Sequence, residues 1–186
     1  MDTTEDLAAR LAIDLDGTFE ALVRAEPDLV YGIALRSTRD PGAAEELAQD
    51  TFVRAYRALA SYDTQRIGDL QLHAWFARIT INLCRNRARS RRGAPVEVPF
   101  ESIAEPVDPS LHPEPAALAR EAEGEWGRRL AALPGHYRLA VELRHVHGLS
   151  YEEIAAALER PINTTKTHVH RGVALLRAAY SQEISA

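Results

Sequence analysis

Apolar side chains recur along most of this chain at the three- and four-residue spacing of amphipathic α-helices. The clearest stripe consists of Ala44, Leu47, Ala48, Thr51, Phe52, Ala55 and Leu59. Asp40 and Pro41 stand just before it, as a helix cap and a first-turn proline would. Residues 19–36 and 73–91 show the same spacing, and Pro27 predicts a kink or a break in the first of them. Because no segment alternates convincingly between apolar and polar positions, we predict an all-α protein.

A stretch rich in proline and acidic residues divides this helical pattern into two halves. Six of the ten prolines lie between residues 95 and 115. The acidic residues of the same stretch include Glu97, Glu101, Glu105 and Asp108. Such a composition favours extended backbone and is typical of a linker. We therefore expect two small helical domains, at residues 14–92 and 115–182, joined by an extended acidic linker at residues 93–114.

Residues 150–177 carry the signals of two helices joined by a tight turn. Ser150 followed by Glu153 predicts a capping box, and Pro161 predicts the end of the first helix. Asn163 is expected to cap the second helix from Thr164 onward. The inward side of that helix is predicted to carry Val169, Gly172, Val173 and Leu176. Its outward side is predicted to carry Lys166, Thr167, His170 and Arg171.

This arrangement is typical of a helix-turn-helix, whose second helix lies in the major groove of DNA. Base edges and phosphates there require hydrogen-bonding and cationic side chains, which the outward side supplies. A helical hairpin with an ordinary solvated face remains the alternative for this segment alone. The helix-turn-helix is predicted to lie in the second domain.

The distribution of charge supports a nucleic-acid partner more than the net charge of −5 does. Residues 61–92 carry seven basic and two acidic side chains, and residues 161–186 carry three and one. Residues 93–123 carry one basic and seven acidic side chains. Two basic islands in an acidic chain, each at the end of a predicted domain, indicate local surfaces for nucleic acid.

Composition excludes several other classes of protein. Cys84 is the single cysteine, which rules out an internal disulfide framework and a multi-cysteine zinc site. No signal peptide and no apolar run of membrane-spanning length is readable. We expect a cytoplasmic protein that does not insert into a membrane.

Two short motifs raise rival interpretations. Residues 12–18, Ala-Ile-Asp-Leu-Asp-Gly-Thr, resemble the first motif of haloacid-dehalogenase-like phosphatases, whose paired aspartates transfer phosphorus. That chemistry needs the pair at the end of a parallel strand, and no βαβ pattern accompanies it, so a helix cap or acidic turn is the simpler expectation. The pairs His145 with His147 and His168 with His170 look like metal ligands, but residues two apart point to different sides of a helix. We expect no metal site, no cofactor and no enzymatic activity.

Taken together, the motifs resemble one family, the extracytoplasmic-function sigma factors of the sigma-70 superfamily. The resemblance to its region four is carried by residues 133–138, 141–144 and 148–155. The resemblance to its region two is carried by residues 44–56, 74–79 and Asn82. It covers about residues 17–180 in the order of the family. It implies a factor that directs core RNA polymerase to promoters and initiates transcription.

The same resemblance implies a docking surface and a strand-capture surface in the first domain. The helix over residues 43–57 would dock on the clamp helices of the largest polymerase subunit. Its expected contact residues are Glu46, Gln49, Asp50 and Arg54. Residues 61–91 would capture the melted minus-ten strand by stacking, base contact and phosphate contact. The expected residues for these contacts are Tyr62, Asn82, Arg85 and Arg89.

In the second domain the resemblance implies duplex recognition of the minus-thirty-five element. The matching positions are Lys166, Thr167, His168, His170 and Arg171. Two residues depart from the family pattern: Thr165 replaces a usually apolar residue, and Val173 replaces a commonly basic one. The implied partners are core RNA polymerase, including the flap of its second subunit, promoter DNA and a separate anti-sigma factor. The alternative is a helix-turn-helix activator that binds duplex DNA without being a polymerase subunit.

Overall fold

The computed structural model describes residues 4–91 and 124–184, and all regular structure in these ranges is helical. The chain divides into two compact units, Met1–Glu97 and Val98–Ala186. This confirms the predicted all-α class with two helical domains. The predicted linker at residues 93–114 lies outside the described residues. None of the described helices is both long and apolar enough to cross a bilayer.

Six described helices build the first unit. They are α1 (Thr4–Ile13), α2 (Leu15–Ala25), α3 (Pro27–Thr38), α4 (Pro41–Ser61), α5 (Thr64–Gly68) and α6 (Leu72–Arg91). The predicted break at Pro27 is confirmed, because α2 ends at Ala25 and α3 begins at the proline. The predicted cap of α4 is also confirmed, since the Asp40 carboxylate accepts a hydrogen bond from the Ala43 amide at 3.2 Å. Aspartate caps of this kind satisfy amides that have no partner inside the helix.

Helix α6 lies at the centre of the first unit, where α1, α3 and α4 pack against it. Ten of its twenty residues are buried, and the Phe76 side chain is fully enclosed. The Phe76 ring contacts the rings of Phe52 and Trp75, with centroids 5.6 and 5.3 Å apart. Trp75 is therefore part of the core. Burial of this kind on several sides makes α6 the scaffold for the rest of the unit.

The second unit consists of four described helices. They are α7 (Gly124–Ala131), α8 (Gly135–His145), α9 (Tyr151–Leu158) and α10 (Ile162–Ile184). Both bonds of the predicted capping box are present: the Glu153 amide donates to Ser150 Oγ at 3.1 Å, and the Ser150 amide donates to Glu153 Oε2 at 2.8 Å. Helix α9 ends at Leu158, and the next residue, Glu159, closes it in the left-handed region at φ 54°. The predicted helix-turn-helix is thus formed by α9, this turn and α10.

The start of α10 differs from the prediction. Asn163 does not cap the helix, because α10 begins one residue earlier, at Ile162. The carbonyl of Pro161 accepts the first intrahelical bond, from the Thr165 amide at 3.0 Å. Proline fixes φ near its helical value, so the chain is already set for helix at this point. Asn163 instead supplies its carbonyl to the Thr167 hydroxyl at 2.8 Å.

The core of the second unit joins α7, α8 and α10 through Leu130, Leu133, Val141 and Leu176. Gly172 permits this packing, because a Cβ atom there would lie 2.5 Å from Val141 Cγ2. Val173, which departs from the family pattern, packs partly buried against the same cluster. An apolar residue at this position therefore extends the core instead of making a phosphate contact.

Candidate nucleic-acid interface

Helix α10 has one buried side and one exposed side. Thr165, Val169, Gly172 and Leu176 are buried, at spacings of four, three and four residues. Between them lie the predicted outward residues, and Lys166, Thr167, His170 and Arg171 are all exposed. Neither Lys166 nor Arg171 forms an ion pair with any residue that the structure describes. The exposed side therefore presents unneutralised charge and hydrogen-bond donors, as contact with DNA requires.

His168, one of the positions matched to minus-thirty-five recognition, is half-buried. Its imidazole packs against the rings of His136 and Tyr137 on α8, with centroids 5.0 and 5.4 Å away. Burial lowers the pKa of His168 from its usual 6.5, and the neighbouring charges of His136, Arg160 and Arg171 lower it further. Its position three residues after buried Thr165 turns the ring toward α8, which favours a packing role.

The polar side of α6 carries the three residues expected to capture a melted strand. Asn82, Arg85 and Arg89 are all half-buried, and their spacing of three and four residues places them on one side of the helix. The opposite side is the core of the unit. The structure thus brings these three side chains together, on the most deeply embedded helix of the first unit.

Tyr62 is half-buried at the end of α4, where two neighbours hold its ring. The guanidinium carbon of Arg66 lies 3.7 Å from the ring centroid, and the Trp75 ring meets Tyr62 edge-on at 6.3 Å. Arg66 therefore covers one face of the ring on which a base was expected to stack. Sequence reasoning missed Arg66, because the bend between α4 and α5 sets this contact and helical spacing does not.

The four residues expected to bind polymerase are exposed along α4. Glu46, Gln49, Asp50 and Arg54 lie on the side of the helix away from buried Leu47 and Thr51. Glu46 Oε2 also accepts a hydrogen bond from Arg87 Nη1 on α6 at 2.9 Å. An ion pair so open to solvent contributes little stability, so it leaves the α4 surface available to a partner. Phe52, part of the predicted apolar stripe, is only half-buried.

The acidic motif at residues 12–18 lies where α1 ends and α2 begins, and its two aspartates form hydrogen bonds there. Asp14 caps α2, its carboxylate accepting a hydrogen bond from the Gly17 amide at 3.0 Å. Asp16 accepts a hydrogen bond from the Tyr56 hydroxyl at 2.6 Å, and this bond raises the pKa of Tyr56. The pair thus lies at the start of a helix, without the strand that phosphoryl transfer on this motif requires. This finding supports the expectation of a helix cap over the phosphatase interpretation.

The single cysteine and the histidine pair on α10 pack against neighbouring residues and form no chemical site. Burial raises the pKa of the Cys84 thiol to about 11, which keeps it protonated and unreactive at neutral pH. In the candidate pair of histidines on α10, His168 packs on α8 while His170 stacks on Tyr151 of α9. The two rings face different neighbours, as the spacing predicted. Within residues 4–91 and 124–184 no three potential metal ligands cluster.

The fold and this exposed helix define a class, a helical protein of two units with a helix-turn-helix in the second. Comparison with known families identifies each unit. Residues 22–94 match the model of Sigma-70 region 2, and residues 124–176 match the model of Sigma-70, region 4. The chain belongs to the extracytoplasmic-function (ECF) sigma factors of the sigma-70 family, which direct RNA polymerase to promoters. A match to both regions favours a sigma factor over an activator that shares only the helix-turn-helix.

Curated relatives agree with this assignment. The ECF RNA polymerase sigma factor SigE of Mycolicibacterium smegmatis is 33% identical over 180 residues, which cover 95% of this chain and 64% of the relative. The RNA polymerase sigma-H factor of Pseudomonas aeruginosa is 32% identical over 160 residues, which cover 82% of this chain and 81% of the relative. The chain thus spans about two thirds of the length of the first relative and most of the second.

Two solved structures share the fold. The structure of CnrH in complex with the cytosolic domain of CnrY has a TM-score of 0.69 and 24% identity, covering 96% of this chain and 97% of the other. The sigma factor RpoE of Bartonella quintana, in complex with the anti-sigma factor NepR, has a TM-score of 0.62 and 24% identity, covering 88% of this chain and 96% of the other.

Proposed function

We propose that this protein guides core RNA polymerase by reading the minus-thirty-five duplex with α10 and capturing the melted minus-ten strand with α6. The observation that supports this most strongly is the two-sided character of α10. One side is buried through Val169 and Gly172, while Lys166 and Arg171 on the other side are exposed without an ion pair in the described part of the chain. Helices that enter the major groove have this arrangement.

Different cationic residues serve different parts of the duplex. Arg171 is assigned to a base edge, with guanine as the expected base, because its planar guanidinium can donate two parallel hydrogen bonds to guanine O6 and N7. Lys166 is assigned to the phosphate backbone, since an ammonium group acts as a point charge. Thr167 and His170, exposed beside them, complete the duplex surface. His168 keeps a packing role at the edge of this surface.

The first unit supplies the surfaces for polymerase and for single-stranded DNA. Glu46, Gln49, Asp50 and Arg54 on α4 bind the clamp helices of the largest polymerase subunit. On α6, Asn82 bonds a base edge of the melted strand, and Arg85 and Arg89 hold its phosphates. Tyr62 offers a base the ring face that Arg66 does not cover. The domain bounds proposed for these roles are residues 14–92 and 115–182.

This role has consequences for partners and location. The second unit binds the flap of the second polymerase subunit, and a separate anti-sigma factor controls the free protein. The solved relative RpoE, bound to the anti-sigma factor NepR, supports this kind of control. A sigma factor acts where polymerase and promoter DNA are, so the protein works in the cytoplasm, and it acts as a binding subunit without catalysis of its own.

Run-off transcription with core polymerase on a genomic library tests the proposal. The protein should direct transcription from a set of promoters that share a minus-thirty-five and a minus-ten element. Asn82→Ala should keep polymerase binding and impair opening of the minus-ten region, measured by permanganate reactivity. Gln49→Ala with Asp50→Ala should instead lower affinity for core polymerase while helicity is unchanged. Specific duplex binding without polymerase, together with no transcripts, would favour an activator.

The assignment of Arg171 and Lys166 is tested with a library of minus-thirty-five variants. Arg171→Ala should weaken promoter binding by about 1–3 kcal/mol and relax preference at one position. Lys166→Ala should weaken all promoters alike and flatten the salt dependence. If Arg171→Ala lowers every variant by the same factor, Arg171 is a phosphate contact.

A further inference from the structure

The chain has 22 lysine and arginine residues, and Lys166 is the only lysine among them. A lysine amine can lose its proton and act as a nucleophile, whereas the guanidinium of arginine stays protonated in proteins. The Lys166 side chain is exposed on α10, and it forms no ion pair with a residue that the structure describes. The one side-chain amine of this protein is therefore accessible on the helix proposed to read DNA.

Other nitrogen-bearing side chains surround this amine. The ammonium nitrogen of Lys166 lies 5.8 Å from the ring centroid of Tyr151, the first residue of α9. The guanidinium carbon of Arg144 on α8 lies 4.9 Å from the same centroid. His170, one turn further along α10, stacks on the ring with centroids 6.2 Å apart. One aromatic ring thus brings the lysine amine together with a guanidinium and an imidazole.

Arg144 is held in a position where it attracts a small anion. Its Nη1 donates a hydrogen bond to the Leu149 carbonyl at 2.8 Å, just before the capping box of Ser150 and Glu153. No carboxylate among the described residues pairs with its guanidinium, and the remaining N–H groups of such a fork suit a phosphate. Because Arg144 and Lys166 contact one ring, an anion drawn to the guanidinium arrives beside the amine.

We propose that Lys166 is a modification site, at which an acyl phosphate transfers its acyl group to the amine. The ammonium group first gives one proton to water, and its nitrogen then attacks the carbonyl carbon of the acyl phosphate. The C–N bond of an amide forms and the C–O bond to the phosphate breaks. The phosphate leaves with the electron pair of that bond and takes the second proton from the nitrogen. Arg144 attracts the phosphate group of the donor and stabilises its negative charge as it leaves.

Acylation removes the positive charge of Lys166. The consequence for promoter binding rests on the proposed function, in which Lys166 contacts the phosphate backbone of the duplex. The modified protein should bind every promoter more weakly, by about eightfold at about 0.1 M salt, which is the factor that release of about 0.9 counterions gives. Transcription by this factor would thus respond to the supply of activated acyl groups.

A second position on the same helix gives a matched control. Arg177 is exposed on α10, and it lies eleven residues beyond Lys166, about 16 Å further along the helix axis. Arg177→Lys therefore adds an exposed amine away from the Tyr151 ring. The full-length variant is treated with acetyl phosphate, and peptide mass spectrometry follows acetylation at both positions. Lys166 should react about fivefold faster, the gain expected from attraction between unit charges about 4 Å apart in water.

Arg144→Gln, combined with Arg177→Lys, removes the guanidinium and should make the two rates equal. Thermal unfolding of this variant separates a loss of fold from a loss of attraction. For promoter binding, the unsubstituted chain is acetylated, separated from the donor and combined with untreated core polymerase. Its affinity should fall by about eightfold, and the slope of log affinity against log salt by about 0.9. Lys166→Arg cannot be acetylated, so its affinity after treatment should equal its own affinity before treatment.

Two outcomes would overturn the modification site. Equal rates at positions 166 and 177 would show that the surroundings of Lys166 do not attract the donor. A preference for position 166 that persisted in folded Arg144→Gln would show that the guanidinium has no part in the reaction. Selective acetylation without a change in promoter affinity would support the modification site and overturn the assignment of Lys166 to the phosphate backbone. Failure of this inference and failure of the proposed function therefore give different results.

Discussion

The two helices assigned to DNA are embedded to different degrees in their units. Helix α6 has ten buried residues, and its candidate contacts Asn82, Arg85 and Arg89 are half-buried. Helix α10 has a single narrow buried stripe among its described side chains, and Lys166 and Arg171 project from the other side. The first helix is the centre of its unit, whereas the second lies at the surface of its own.

This difference follows from what each helix is proposed to hold. A single strand must be held in a groove with walls, so its binding residues lie on a helix that is surrounded by others. A duplex is read by a helix that enters its major groove, so that helix must project from the unit. Helix α6 therefore serves both the core of its unit and the binding of DNA. In α10 these two roles lie on opposite sides of the helix. Substitutions in the two helices should therefore differ in how they affect stability and promoter binding.

The largest expected effect is on α6. Phe76→Ala removes a fully buried ring that contacts Phe52 and Trp75, and should lower the free energy of unfolding by about 3–5 kcal/mol. Denaturant unfolding measures this loss, and minus-ten opening should be lost with it. Val53→Ala, at a side chain that is 48% exposed, is the control and should change stability by less than about 0.5 kcal/mol. Normal promoter opening by a strongly destabilised Phe76→Ala protein would contradict the shared use of α6.

The next effect is on the packed side of α10. Gly172→Ala adds a Cβ atom 2.5 Å from Val141 Cγ2 and 3.3 Å from the Tyr137 carbonyl oxygen, and should destabilise the protein by about 1–3 kcal/mol. The branched valine cannot turn away as a long side chain would, so α8 and α10 must separate. Adding Val141→Ala makes room, and the double variant should be more stable than the sum of the two single losses predicts. Thermal unfolding of the three variants measures the coupling, and strict additivity would mean that the two residues do not clash.

Local signals predicted most of the helices correctly. The Pro27 break, the Asp40 cap, the capping box and the inward residues of α10 depend on neighbours within four positions, and the structure has all of them. The cap predicted at Asn163 is a local failure, whereas the contacts that periodicity did not predict have partners that are distant in sequence. His168 is half-buried because His136 on α8 packs against it, and the cations around Tyr151 come from two other helices, α8 and α10. Periodicity shows which side of a helix is buried, but it does not show which distant residue covers that side.

A smaller effect is expected at Thr165, which departs from the apolar pattern of the family. Its side chain is fully buried, and its hydroxyl oxygen has no hydrogen-bond partner among the described residues. Because a buried polar group without a partner is costly, Thr165→Val should raise the free energy of unfolding by about 1 kcal/mol. Thr51→Val in the first unit is the matched control, since that buried hydroxyl donates to the Leu47 carbonyl at 2.7 Å. It should lower stability by about 1 kcal/mol, and equal effects at both sites would show that Thr165 is satisfied in solution.

The smallest effect concerns acid stability of the second unit, and it depends on His168. Burial, followed by the charges of His136, Arg160 and Arg171, lowers the pKa of His168 in the folded protein. In the unfolded chain its pKa should lie near 6.5. The unfolded state therefore binds the proton more readily, so the stability due to neutral His168 is present above about pH 6.5 and is lost as the pH falls below it.

Unfolding temperature measured against pH tests this sign directly. His168→Gln keeps a polar side chain that cannot titrate, and it should reduce the fall in unfolding temperature below about pH 6.5. Arg160→Gln removes one repelling charge but leaves the burial of the ring, so it should reduce the fall by less. Both substitutions lie in the second unit and leave the first unit unchanged, so a change in acid stability is attributable to the contact between α8 and α10. If His168→Gln showed the same acid dependence as the unmodified protein, the ring would be open to solvent, and His168 would rejoin Lys166 and Arg171 on the DNA-facing side.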